Sequence, residues 1–370
     1  ILGVLGLLGI LGIFVILKST LPPTLYSPSS DLLISKSTDI RQVVWRGAVE
    51  IGRHYPFFGT GPETFAYSYY WYRPREHNDL SEWDFLYNKA HNEYLNYFAT
   101  TGIIGLGGYL LLIGGIICFA GASLAPTQIA LLLGWISILV TNFFGFSVVI
   151  TSLFFFLFPA MMWVLNQNKD TQDGRPPAGG RPNSIQQYNS FGIIGLLNIY
   201  CLLFTTRYWL ADFHYANGVK LNRQQQYALA FNELQNAIEL KDEPNFRDEI
   251  AWSAANLAVA AQKQGEETLL LHLITTAKKQ SDLALKTNPY HVNFWKSRAK
   301  IFYKLAEIEP ENLKFAAEAL TKAGLLAPTD AKIRYHLGVL TGEKKYLDEA
   351  LHLKPNYTEV QQALENWKEK

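Results

Sequence analysis

The stretch "KAHNEYLNYFATTGIIGL", residues 89–106, changes from polar to apolar within a few positions. It opens with four polar side chains, those of Lys89, His91, Asn92 and Glu93. From Thr101 the sequence is apolar as far as about residue 120, and a helix needs about 20 apolar residues to cross a membrane. The sequence therefore predicts a span over 102–120 with an ionisable cluster directly before it.

Apolar runs elsewhere predict further spans. Residues 1–17 form such a run with no positively charged segment before it, which differs from a signal peptide. We read this run as the end of a span in a longer polytopic protein. Residues 126–165 are too long for one helix and break near Asn142 and Gly145, which predicts two spans. Residues 190–210 predict a fifth span, although the polar residues Asn198 and Arg207 weaken this prediction.

The domain order follows from these spans. A polar loop occupies 18–100, transmembrane helices 101–165, a Gly- and Pro-rich linker 166–189, and a helical region 211–370. The linker is short and carries Lys169, Arg175 and Arg181, and short basic loops favour the cytoplasm. That orientation puts the 18–100 loop and the 211–370 region outside.

The region from 211 to 370 repeats one pattern. Ala- and Leu-rich amphipathic helices end in short turns with proline, at Pro244, Pro289, Pro328 and Pro355. This resembles a tetratricopeptide-like solenoid, whose concave surface commonly docks a protein partner. The expected fold class is all-α: a polytopic membrane helix bundle with a long extracytoplasmic loop, followed by a soluble α-solenoid.

Charge and cysteine content exclude other classes. The chain has 33 Lys and Arg against 32 Asp and Glu, a balance that argues against nucleic-acid binding. Cys118 and Cys201 lie in apolar runs, which favours small buried or lipid-facing side chains over a disulfide or metal site. The spans after Thr101 carry almost no charge, so ion transport is disfavoured.

The polar loop contains "DIRQVVWRGAVEIGRHYPFFGTGPETFAYSYY", residues 39–70. Its first part predicts an amphipathic helix from 40 to about 51, with Val44, Ala48 and Ile51 on one face. Pro56 ends this helix. The "GTGP" at 59–62 predicts a tight turn whose backbone amides can point at an anionic ligand.

The order of three pieces resembles a known family. "HYPFFGTGPETF", then "HNEYL", then "TTGIIGL" leading into a span, is similar to the O-antigen ligase and polymerase superfamily of bacterial membrane glycosyltransferases. The resemblance covers about residues 39–165. It implies a multi-pass enzyme of polysaccharide biosynthesis in the inner membrane of the cell envelope. Its donor would be a glycan linked to a polyprenyl diphosphate such as undecaprenyl diphosphate, and its acceptor a hydroxyl of a lipid, a glycan or a protein.

The resemblance also implies site residues, and their chemistry suits the reaction. Arg41 stands where the family has its loop arginine, and a guanidinium is a planar donor to phosphate, so we expect Arg41 to bind the diphosphate. Arg46 and Arg53 are further candidates. His91 matches the family histidine and suits the role of base, with an unperturbed pKa of about 6.5. Asn92 and Glu93 would orient His91 or the acceptor sugar.

The leaving diphosphate is already activated, so no cofactor and no metal is expected. Direct displacement by a base-activated hydroxyl predicts inversion at the anomeric carbon. The aromatic residues Trp71, Tyr72, Trp83 and Tyr87 either stack on sugar rings or form an interfacial belt. His54 and His77 are read as bystanders.

Two alternatives remain. A protein O-oligosaccharyltransferase or a polysaccharide polymerase would use the same chemistry on another acceptor. A non-catalytic membrane scaffold that presents the repeats would tolerate replacement of Arg41 and His91.

Overall fold

The computed structural model describes residues 37–120, 124–172 and 184–368. These residues are helical with no strand among them, in agreement with the all-α expectation. The span expected over 1–17 lies outside the described residues. The chain divides into two compact units, Ile1–Ala178 and Gly179–Lys370.

The first unit combines a small polar subdomain with apolar helices. Its elements are α1 (Ser37–His54), α2 (Phe65–Tyr72), a 3-10 helix (Arg75–Asp79), α3 (Glu93–Ala120), α4 (Pro126–Phe144) and α5 (Val149–Gln172).

Helix α1 confirms the amphipathic helix predicted from the sequence. Val44, Ala48 and Ile51 are fully buried, and they pack with Leu95 and Ala99 from the first turns of α3. The helix ends at His54 because a residue directly before proline, here Tyr55, disfavours helical torsions. The polar loop is thus held against the start of the span rather than hanging free from it.

Helix α3 is broken at Gly102, which has φ +65° and ψ −165°. This region of torsion space is almost exclusive to glycine. The break leaves the carbonyls of Ala99 and Thr100 without helical partners. They accept instead from the amides of Thr60 (3.1 Å) and Gly61 (2.8 Å) in the loop.

The same break also frees two amides of α3. Ile103 donates to the carbonyl of Pro56 at 2.8 Å, and Ile104 donates to that of Phe57 at 3.3 Å. A Cβ on Gly102 would stand 2.3 Å from the oxygen of Phe57. The turn after α1 is therefore inserted, backbone against backbone, into the gap in α3.

Within the described residues, three helices are long and apolar enough to cross a membrane, judged by length and composition. They are Glu93–Ala120, Pro126–Phe144 and Val149–Asn166. The prediction that the 126–165 run forms two helices is confirmed, since α4 ends at Phe144 and α5 begins at Val149. Trp135 joins them with its indole N–H on the carbonyl of Phe155 at 2.9 Å.

The second unit begins with α6 (Ser184–Arg223), which contains the span expected over 190–210. Apolar side chains of this helix are exposed, among them Leu196, Leu202 and Phe204. The helix is not one of the three above, so its crossing stays a prediction.

The rest of the second unit consists of helices in sequence. They are α7 (Tyr227–Leu240), α8 (Pro244–Gln264), α9 (Glu267–Thr287), α10 (Val292–Leu305), α11 (Asn312–Leu326), α12 (Ala331–Thr341), α13 (Lys344–Leu353) and α14 (Thr358–Lys368). The closest packing is between α6 and α7, α8 and α9, α10 and α11, and α12 and α13.

Alanine makes this pairing possible. Ala251, Ala254, Ala255 and Ala258 of α8 are fully buried, and such small side chains let neighbouring helices approach closely. The prolines lie between helices or at a helix start, as the sequence predicts. Pro244 is the first residue of α8, where its missing amide has no helical partner to lose.

Candidate active site

His91 lies in the last turn of the loop, two residues before α3 begins. Its φ of +54° is left-handed, an uncommon conformation for a residue with a side chain. Asn92 stabilises this turn as the cap of α3, because its side-chain oxygen accepts from the amide of Leu95 at 2.9 Å. The conformation of His91 is therefore set by the way the helix starts.

The imidazole of His91 is half-buried between two aromatic rings. The ring of Tyr87 meets it edge-on at 5.7 Å between centroids, and the ring of Phe146 does so at 5.2 Å. The indole of Trp45 donates to the His91 carbonyl at 3.3 Å. Among the described residues, neither ring nitrogen of His91 has a hydrogen-bond partner, so both are available to a substrate.

Burial and charge keep His91 neutral. Partial burial lowers the pKa of its imidazole below the usual 6.5, and the positive charge of Arg41 lowers it further. Glu82 acts in the opposite direction. A neutral imidazole at physiological pH can accept a proton, which is what a general base requires.

The three candidate arginines of α1 differ in their partners. Arg53 is exposed and lies 3.5 Å from the carboxylate of Glu50, while Arg46 lies 3.7 Å from Glu76. Arg41 forms no ion pair among the described residues. Of the three, Arg41 is the one without an ion pair in the described part of the chain, and its positive charge acts on the pKa of His91.

The side chains of Asn92 and Glu93 form hydrogen bonds to other parts of the protein. Asn92 is only 1% exposed, and its amide nitrogen donates to the carbonyl of Phe143, at the end of α4, at 2.9 Å. The carboxylate of Glu93 accepts from the amide of Ser147 at 3.2 Å. Both side chains tie the start of α3 to the turn between α4 and α5. They therefore position His91, and buried Asn92 has no free surface for a sugar.

The GTGP turn differs from the expectation that its amides face a ligand. The amide of Gly59 donates to the carbonyl of Tyr55 at 3.0 Å, and those of Thr60 and Gly61 donate into the gap of α3. Pro62 has no amide to offer. The turn holds the loop on the membrane helix and leaves no amide for a phosphate.

The other histidines of the loop have structural environments. His77 is fully buried, and its Nδ1 lies 3.0 Å from the hydroxyl of Tyr69. Burial, reinforced by Arg73, lowers the pKa of His77 to about 3. His54 is exposed, and its Nδ1 lies 3.0 Å from the carbonyl of Glu50.

Among the aromatic residues proposed to stack on sugars, Tyr87 is a core residue. It is 6% exposed, packs between His77 and His91, and donates its hydroxyl to Glu82. Its role is to support the imidazole, which the sequence did not indicate. Tyr72 is half-buried against the ring of His54 at 4.5 Å.

Phe146 and Trp45 are also parts of the site that sequence reasoning did not assign to it. The sequence does indicate a place for Trp45 near the site, because it lies four residues from Arg41 and therefore on the same face of the helix. No such indication exists for Phe146, because it follows His91 by more than 50 positions in an otherwise apolar run. No group of three metal-ligating side chains occurs in the part of the chain that the structure describes.

One protein family matches part of the chain. Residues 1–110 match the O-antigen ligase family, a range that includes α1, His91 and the first turns of α3 beyond Gly102. No curated protein matches the chain. The match covers under a third of the chain, and together with the three apolar helices it suggests a membrane protein with a glycosyltransferase type of function.

Proposed function

We propose that this protein transfers a glycan from a polyprenyl-diphosphate carrier to an acceptor hydroxyl, with His91 as the base and Arg41 on the diphosphate. The observation that carries the proposal is that, among the described residues, the ring nitrogens of His91 have no hydrogen-bond partner and Arg41 has no ion-pair partner. The positive charge of Arg41 lowers the pKa of His91, which supports a shared site for the two groups.

In this mechanism His91 accepts the proton of the acceptor hydroxyl as the oxygen attacks the anomeric carbon. The bond from that carbon to the diphosphate oxygen breaks, and its electron pair leaves with the polyprenyl diphosphate. Arg41 stabilises the negative charge that develops on this leaving group. Attack opposite to the leaving group gives an inverted product, which NMR assignment of the anomeric configuration would check.

The position of the site fits a substrate with an apolar tail in the bilayer and a polar head outside it. His91 lies just before α3, and the exposed apolar part of α3 begins at Ile103. A donor whose prenyl tail lies in the bilayer would bring its diphosphate to this level. The proposal places the loop on the extracytoplasmic side of the inner membrane, where such donors present their glycan.

The second unit extends the proposal to the acceptor. Its paired Ala-rich helices are what a tetratricopeptide-like solenoid requires, and such a surface would dock an acceptor protein or an assembly partner. This feature favours protein O-oligosaccharyl transfer as the second candidate. Transfer to a lipid or glycan acceptor would leave the repeats with an assembly role.

The test uses the full-length gene in a host that lacks its own enzyme. His91→Gln removes the base and Arg41→Gln removes the charge, and membrane levels are measured alongside glycan transfer. We expect a loss of 10² to 10⁴-fold for His91→Gln, in the usual range for general-base catalysis. His54→Gln, at an exposed histidine of the same loop, is the matched control and should keep full transfer.

Comparison of the arginines sharpens the assignment. Arg53→Gln removes a guanidinium that already faces Glu50, so its loss should be much smaller than that of Arg41→Gln. Full transfer by both His91→Gln and Arg41→Gln would refute the proposed site. Absence of transfer by the unmutated protein would favour the scaffold alternative.

A further inference from the structure

The turn that follows α1 exposes large apolar side chains. We call residues 55–59 the YPFFG turn. Phe57 is 65% exposed and Phe58 is 75% exposed, although phenylalanine is among the residues most often buried. Two such neighbours on a surface usually mark a contact with another apolar phase.

The backbone places this turn beside the first turn of the apolar part of α3. The hydrogen bonds from Ile103 to Pro56 and from Ile104 to Phe57 put Phe57 level with Ile104. Ile103 and Ile104 are themselves 58% and 55% exposed. The YPFFG turn is therefore continuous with the outer surface of a helix that can span a membrane.

Polarity changes along both chain segments at the same level. In α1, exposed Arg53 and His54 are followed within a few residues by Phe57 and Phe58. In α3, the polar start at Glu93 gives way to exposed apolar residues from Ile103 onward. Cationic side chains suit lipid headgroups and phenyl rings suit acyl chains, so both segments pass through an interface at one height.

We propose that the YPFFG turn is inserted into the hydrocarbon edge of the bilayer, with Phe57 and Phe58 among the acyl chains of the lipids. This rests on α3 crossing the membrane, as the proposed function does. Insertion would anchor the loop at a fixed depth through the four backbone hydrogen bonds to α3. His91, at the start of the same helix, would then be held at a constant height above the hydrocarbon.

The test is a depth measurement by spin labelling. In the full-length protein, Cys118→Ala and Cys201→Ala remove the two exposed cysteines of this sequence, and any cysteine outside it is replaced in the same way. A nitroxide is then attached at Phe58→Cys in phosphatidylcholine vesicles, and its collision rates with oxygen and with a water-soluble nickel chelate are compared. Leu111→Cys, 77% exposed on α3, is the hydrocarbon reference, and Arg53→Cys is the aqueous one.

We expect the label at Phe58 to favour oxygen over the nickel chelate, less strongly than at Leu111 and opposite to Arg53. The label at Phe57→Cys should agree, which guards against a local effect at one position. A label at Phe58 that is open to the nickel chelate, or shielded from both reagents by protein, would overturn insertion while Leu111 still reports lipid. If Leu111 were also open to water, the membrane placement behind both proposals would fail.

Discussion

Replacing Gly102 with alanine should destabilise the first unit, although it adds only one methyl group. Gly102 has φ +65° and ψ −165°, and the new Cβ would stand 2.3 Å from the oxygen and 2.4 Å from the carbon of Phe57. Both are backbone atoms of the turn inserted in α3, so no side-chain rotation relieves the contact. The chain has two ways to respond.

The first response keeps the present backbone and accepts the strain, which costs about 1–3 kcal/mol for an alanine in this region before the contact with Phe57 is counted. The second straightens α3 and expels the turn. Four loop-to-helix hydrogen bonds are then replaced by two helical ones, a net loss of two. At about 0.5–1.5 kcal/mol each, that loss is about 1–3 kcal/mol. The first route also carries the contact with Phe57, so the second costs less, and we expect the free energy of unfolding to fall by about 2 kcal/mol.

The assay is thermal unfolding of the purified full-length protein in detergent, followed by the fraction that stays monodisperse. Gly108→Ala is the matched control on the same helix, since its Cβ would have no neighbour within 4 Å. Alanine is the better helix former, so this control should be neutral or slightly stabilising. Equal stability of the Gly102→Ala and Gly108→Ala proteins would refute the reasoning about the break.

The remaining predictions concern charge and capping. Glycan transfer should fall as the pH falls through the lowered pKa of His91. Arg41→Gln should move this acid limb of the kcat/KM profile to higher pH, and Glu82→Gln should move it to lower pH. Acid limbs at the same pH in both variants and the unmutated protein would contradict the role of the imidazole. The pKa of His77 is about 3 in the folded state against 6.5 in the unfolded state, so the free energy of unfolding should drop by up to about 1.4 kcal/mol per pH unit below pH 6.5. His77→Gln should flatten this part of the curve of unfolding temperature against pH. Asn92→Ala should cost about 2 kcal/mol in thermal unfolding, because α3 loses its cap and the carbonyl of Phe143 its donor; an unchanged midpoint would make Asn92 a free surface residue instead.

The helices themselves were predictable from local signals. The apolar face of α1 repeats at helical spacing, and Pro56 limits where the helix ends. The 126–165 run is longer than a bilayer requires, and Gly145 follows directly on the last residue of α4. These signals depend on residues within a few positions of one another, and that is why a single sequence carries them.

The break in α3 was not predictable in the same way. Gly102 reads as one of several glycines in an apolar span, and glycine is common in such helices. Its torsions are decided by the turn at 56–61, about 40 residues earlier in the chain. For the same reason the sequence did not show where the amides of the GTGP turn point: those of Thr60 and Gly61 donate to the carbonyls of Ala99 and Thr100, and that of Gly59 donates to the carbonyl of Tyr55.

In the candidate site, too, local motifs were predictable from the sequence and contacts between distant residues were not. His91 and Arg41 were chosen from the order of the motifs and from the chemistry that a diphosphate donor needs. The supporting contacts of Asn92 and Glu93 come from Phe143 and Ser147, more than 50 residues later. No spacing rule connects positions so far apart, so the sequence left open whether these two residues orient His91 or the acceptor sugar.

The dependence of His91 on residues 143–147 has a consequence for biosynthesis. A ribosome delivers the loop and α3 before it has made α4 and the turn that follows. Until then the imidazole lacks the ring of Phe146, and the start of α3 lacks its hydrogen bonds to Phe143 and Ser147. A nascent chain thus completes the surroundings of His91 only after α4 and the turn that follows it have been made.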